Sequence, residues 1–188
     1  RLVATILGHA ERELYSGMTK EEQRTFRRKV LDVFDQESST ADGFLRFVAW
    51  GLDCGLPPND KTLLRAAVVA NRLHDADFAL RASRAVHTPE LRGNALVEIA
   101  RAQMTRGHLA YAREVVDEVL DQCTSFTLAK EASLMSIALR VRGDDAPKGI
   151  RADVVRWKSI AERIAAAADS PDDPQITLGL AVSRNGYR

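Results

Sequence analysis

Apolar residues recur every three or four positions along most of the chain, which is the spacing of one face of an α-helix. In the first third of the chain this spacing occurs in three segments, at about residues 1–17, 20–34 and 43–54. Thr19, followed by two glutamates, has the composition of a helix N-terminus and favours the start of the second segment there. We therefore predict an N-terminal segment of three helices at residues 1–57.

The helical spacing resumes after a proline-containing break at residues 55–60, which predicts a domain boundary. The helices predicted after this break lie at 61–73, 77–87, 90–106, 109–122, 127–142 and 149–168. Most of them are separated by only two to four residues, and connections this short join antiparallel helical hairpins. We predict an array of hairpins at residues 61–170, whose last helix covers the open end, and a strand-like or disordered tail at residues 171–188.

Composition supports an all-α fold. Glycine and proline are scarce, which indicates few turns, and aromatic residues make up only 6% of the chain. The formal net charge of +1 lacks the basic excess that is typical of nucleic-acid-binding domains. No apolar stretch is long enough to predict a membrane span, and the two widely separated cysteines favour a cytoplasmic protein without a disulfide framework.

Part of the second region occurs more than once, and its copies can be aligned residue by residue. The aligned pairs of the first two copies are Leu63 with Leu96, Ala67 with Ala100, His74 with Gly107, and Ala79 with Ala112. In a third copy, Met135 aligns with Ile99. This pattern resembles the tetratricopeptide family, whose helix–turn–helix unit repeats about every 34 residues.

The resemblance covers about residues 61–150 and implies a short solenoid of two or three hairpins. In the middle copy the small side chains of Ala100 and Ala112 would let two helices pack closely, and Gly107 would turn the chain. The chain departs from the family at Gln103, where an aromatic residue is usual. In the family, the first helix of each hairpin lines a concave groove that binds peptides.

That register assigns ten residues to a partner-binding groove: Lys61, Leu64, Asn71, Arg72, Asn94, Val97, Arg101, Met104, Lys130 and Arg140. Among them are amides that can hydrogen-bond a peptide backbone and bases that can bind carboxylates. The predicted function is therefore a non-catalytic scaffold or adaptor, which binds a peptide or helix of a protein partner in this groove.

The chain contains none of the sequences that carry common catalytic or nucleotide-binding chemistry, such as a phosphate-binding glycine loop, Gly-x-Ser-x-Gly or His-Glu-x-x-His. Its four histidines have no metal-ligand spacing with Cys54 or Cys123. We therefore predict that the chain is not an enzyme and holds no metal ion or cofactor.

Three alternatives stay open. The basic run at residues 24–29 would suit a DNA-binding or transcription-regulatory protein, although the net charge makes nucleic acid the less favoured partner. Because the chain begins with Arg1 rather than Met, we expect a fragment, which would also suit the non-catalytic part of a larger enzyme or effector. Self-association through the alanine-rich helices or the apolar residues at 176–182 would give a homo-oligomer.

Overall fold

The computed structural model describes residues 17–33, 40–142 and 146–167, and every regular element among them is an α-helix. The helices of this part are α1 Lys20–Val33, α2 Ala41–Asp53, α3 Asp60–Arg72, α4 Ala76–Arg84, α5 Pro89–Thr105, α6 Leu109–Gln122, α7 Phe126–Arg142 and α8 Ala146–Ala167. The all-α fold is thus confirmed for the described residues. The helix predicted at 1–17 and the tail predicted at 171–188 lie outside them.

Short polar side chains begin the first four helices. Before α1, the backbone N–H of Thr19 donates to the Glu22 carboxylate at 2.7 Å and the Thr19 hydroxyl accepts the Glu22 N–H at 3.3 Å, which confirms the predicted N-terminus. The backbone and hydroxyl of Thr19 hold the pKa of Glu22 below its usual value. Thr40, Asn59 and Asp75 accept a first-turn N–H of α2, α3 and α4, at 3.2, 2.9 and 3.1 Å.

The chain divides between His87 and Thr88 into two compact units. In the first unit α1 packs on α2, α2 on α3, and α3 on α4. A core of aromatic and aliphatic side chains from α2 and aliphatic side chains from α3 and α4 holds the unit together: Phe44, Phe47, Val48, Leu63, Ala66, Ala67 and Ala82. The break at residues 55–60, where we predicted a boundary, lies within this unit, because side chains from both sides of the break share this core.

In the second unit α5, α6 and α7 each pack on the next helix, and α7 also contacts α5. Ala100 and Ala112, the two small residues on which the predicted close packing depends, are both fully buried. Gly93 of α5 lies against α7, where a Cβ atom would come within 2.5 Å of Leu128 Cδ2. The buried stripe of α8 is Ile160, Ala161 and Ile164.

The turn between α3 and α4 and the turn between α5 and α6 have the same local geometry. His74 and Gly107, which align in the sequence repeat, both adopt the left-handed conformation, with φ of 60° and 80°. In each turn the following residue donates its N–H to the carbonyl five residues earlier, at 2.9 Å. This arrangement is a Schellman motif, in which a left-handed residue ends a helix. The sequence repeat is therefore matched by a repeat of local structure.

Candidate partner-binding surface

On α3, the predicted groove residues are divided between the surface and the core. Lys61 and Arg72 are exposed, and Leu64 is half-buried beside them. Asn71 is only 6% exposed, because it belongs to the side of α3 that also carries buried Ala67 and Ala70. The Asn71 amide is therefore part of the interior of the first unit, and it is not accessible to a peptide as we predicted.

On α5, only one of the four predicted residues is fully exposed. Asn94 is exposed and Met104 is half-buried, whereas Val97 is 1% exposed and belongs to the core, not to an accessible groove. The Arg101 guanidinium lies 2.5 Å from the carboxylate of Glu98, which is buried. A buried carboxylate needs a partner of opposite charge, and Arg101 is that partner for Glu98. A ligand that bound the Arg101 guanidinium would have to compete with this ion pair.

On α7, Lys130 is exposed, whereas Arg140 is half-buried and forms an ion pair with a residue of α8. The Arg140 Nε atom donates to a carboxylate oxygen of Asp153 at 2.5 Å, and Asp153 is buried in the contact between α7 and α8. This ion pair joins the two helices of the last hairpin. Arg140 is therefore a structural residue in this conformation, and its predicted role as a charged contact for a partner has no support from its position.

The outer face of α7 carries an apolar stripe whose residues the repeat register does not assign to the groove. Leu134 and Val141 are 58% and 63% exposed, and Ile137 and Ala138 are half-buried between them. These spacings of three, four and seven residues place the four side chains on one side of the helix. The opposite side of α7 is buried: Ala129, Ala132, Met135 and Leu139. We call Leu134, Ile137, Ala138 and Val141 the α7 stripe.

Two arginines of α8 fix this helix to α6. Arg156 binds the carboxylates of Asp117 and Asp121, the latter at 2.7 Å, and Arg163 donates to the carbonyl of Leu120 at 2.8 Å. Burial alone would lower the pKa of Arg156, but its hydrogen bonds to Asp121 and Asp117 raise the pKa above the usual value. Since α7 also packs on α5, α6 and α8, its inner side is enclosed and its outer stripe is the accessible side.

The described residues contain no group of three or more His, Cys, Asp and Glu side chains that could hold a metal ion. Cys54 and Cys123 are free and buried, and burial raises the pKa of Cys123, which favours its protonated and unreactive form. None of the helices within the described ranges has both the length and the apolar character needed to cross a membrane.

Comparison with known proteins identifies no relative of this chain. No protein-family model matches the chain, and no curated protein or solved structure matches it either. The described residues form an all-α fold in which neighbouring helices pack on one another, and this arrangement is compatible with a helical repeat array.

Proposed function

We propose that the chain is a non-catalytic protein-interaction module, a scaffold or adaptor that binds a helix or an extended segment of a partner protein. The binding surface is the α7 stripe, with the exposed Lys130 one turn before Leu134 on the same helix. The observation that carries the proposal is a row of two exposed and two half-buried apolar side chains at helical spacing, because partner helices pack on faces of this kind.

The proposed architecture is a short tetratricopeptide-like solenoid of the hairpins α3–α4, α5–α6 and α7–α8. Two observations support it. The first two hairpins have the same turn geometry at aligned positions of the sequence repeat, and α7 contacts both helices of the hairpin that precedes it. Successive units of a solenoid make contacts of this second kind. In this architecture α3, α5 and α7 are the first helices of their hairpins.

The size of the α7 stripe indicates a transient complex. Full burial of a Leu, Ile or Val side chain contributes about 1.5–3 kcal/mol. Leu134 and Val141 are each already partly covered, so a partner would gain about 1–2 kcal/mol from each of them, and less from Ile137. Micromolar binding requires about 8 kcal/mol. Polar contacts, for which Lys130 of the same helix is exposed, therefore have to contribute the remainder.

The test replaces the two most exposed residues of the stripe in the full chain, as Leu134→Asp/Val141→Asp. The matched control is Tyr111→Asp/Val155→Asp, which puts two aspartates at exposed apolar positions of α6 and α8 and leaves α7 unchanged. Tagged chains are used to capture proteins from cells, and the captured proteins are quantified by mass spectrometry. We expect the amount of each specifically captured partner to fall at least tenfold for the stripe variant and to stay unchanged for the control variant.

Circular dichroism of both variants provides the folding control, because all four replaced side chains are at the surface. If the folded stripe variant captures the same proteins at the same levels as the parent chain, the α7 stripe is not the binding surface. If both variants lose partners equally, added negative charge explains the loss, and the proposed role of the stripe is refuted.

A further inference from the structure

The solvent-facing side of α3 carries a row of basic residues. Lys61, Arg65 and Arg72 lie four and seven residues apart on one side of the helix, along a distance of about 16 Å. All three are exposed, and no acidic residue in the described part of the chain forms an ion pair with them. Val68, which is half-buried, lies on the same side between Arg65 and Arg72. We call these four residues the α3 stripe.

Two features of the α3 stripe are unfavourable for its own helix. Like charges four residues apart, as in Lys61 and Arg65, repel each other on a helix surface. Lys61 also lies in the first turn, where the positive end of the helix dipole disfavours a cation. Arg72 lies in the last turn, where the dipole favours a cation, so local stability explains Arg72 but does not explain the pairing of Lys61 with Arg65. A departure of this kind from local rules is expected where residues serve binding.

Arg65 is held in position by an aromatic ring. Its guanidinium carbon lies 5.0 Å from the centre of the Phe44 ring, and Phe44 is part of the core of the first unit. Stacking of this kind orients a guanidinium group through its face and leaves the N–H groups at its edge for hydrogen bonds to an anion. The middle of the α3 stripe thus presents a pre-positioned donor to carboxylates.

We propose that the α3 stripe binds an acidic segment of a partner protein, whose carboxylates pair with Lys61, Arg65 and Arg72 and whose apolar side chain packs on Val68. Charge complementarity selects an acidic occupant. The apolar position within the stripe favours a peptide over a nucleic acid strand, because a phosphate backbone has no apolar side chain to place on Val68. This inference rests on the proposed interaction function, but it does not depend on the α7 stripe.

The experiment uses a short fluorescein-labelled peptide, in which glutamates surround one central leucine, and measures its binding to the full chain by fluorescence anisotropy. We expect binding at 50 mM NaCl that weakens at least tenfold at 300 mM, because the contacts are exposed ion pairs. Lys61→Glu/Arg72→Glu should weaken binding at least tenfold. The control Arg28→Glu/Arg84→Glu changes the net charge equally at exposed positions of α1 and α4, and should weaken binding less than threefold.

An equal loss in the two charge-reversed variants, or no binding of the peptide at 50 mM NaCl, would overturn the proposal. Tighter binding of a single-stranded oligonucleotide of the same charge would assign the α3 stripe to nucleic acid instead. If the glutamate variant does not fold, Lys61→Gln/Arg72→Gln gives the same comparison without charge reversal. The variant Leu134→Asp/Val141→Asp should bind the peptide within threefold of the parent chain, so the α3 and α7 proposals can fail separately.

Discussion

The two equivalent hairpin turns provide a reciprocal test of the structural repeat. Glycine occupies the left-handed position in one turn, as Gly107, and histidine occupies it in the other, as His74. A residue with a side chain loses about 1–2 kcal/mol in this conformation, whereas glycine does not. Glycine loses about 0.5–1 kcal/mol more than other residues through its greater freedom in the unfolded chain. The difference favours glycine at either position by about 0.5–1 kcal/mol.

We therefore expect Gly107→Ala to lower the free energy of unfolding by about 0.5–1 kcal/mol and His74→Gly to raise it by a similar amount. No atom lies within 4 Å of the point where a Cβ would stand at Gly107, so the loss there is conformational and not steric. The His74 side chain is exposed, so its removal loses little packing.

The assay is urea unfolding, followed by circular dichroism and by tryptophan fluorescence. Trp50 lies in the first unit and Trp157 in the second, so each turn has a tryptophan in its own unit. Arg106→Ala is the control, since Arg106 precedes Gly107 but has φ of −78°. If Gly107→Ala is as stable as the parent chain, or if His74→Gly is less stable, the two turns do not share the left-handed geometry.

Three further predictions concern buried side chains. Leu139 is 1% exposed, so Leu139→Ala should lower the free energy of unfolding in urea by about 2–5 kcal/mol, and an unchanged midpoint would refute its core position. The buried Ser83 hydroxyl has no hydrogen-bond partner among the described residues, so Ser83→Ala should raise stability by up to about 1 kcal/mol; a clear loss would show a hydrogen bond there. Because burial raises the pKa of Cys123, its thiol in a Cys54→Ala chain should react with a thiol reagent at pH 8 more slowly when folded than in urea, and equal rates would refute its burial.

Most of the helix pattern could be predicted because each helix has an apolar face and a recognisable end. Asp75 caps the start of α4, and the left-handed Gly107 follows the end of α5. Both helix ends lie within one or two residues of the predicted positions. The prediction that the helix before Pro89 reaches residue 87 is wrong, since α4 ends at Arg84. The backbone N–H of His87 donates to the Asp60 carboxylate at 2.8 Å, a contact between distant residues that local spacing does not reveal.

The candidate surface was less predictable, because spacing assigns a residue to a face of a helix but does not show what covers that face. Val97 has the register of a groove residue, yet it is buried, because α5 packs on both α6 and α7. Arg140 is engaged by Asp153 of another helix. Leu134 and Val141 have no local signal that separates them from the core residues of α7, since apolar residues occur on all sides of that helix.

The outer face of α7 is the surface on which the proposed function depends, and photo-crosslinking in the cell tests it most directly. A benzophenone-bearing phenylalanine replaces Leu134 of the full chain, and in a separate chain it replaces Val155, which is similarly exposed on α8. We predict covalent adducts with another protein from position 134 and none of the same size from position 155. No adduct from position 134, or the same adducts from both positions, would contradict a partner-binding role for the α7 stripe.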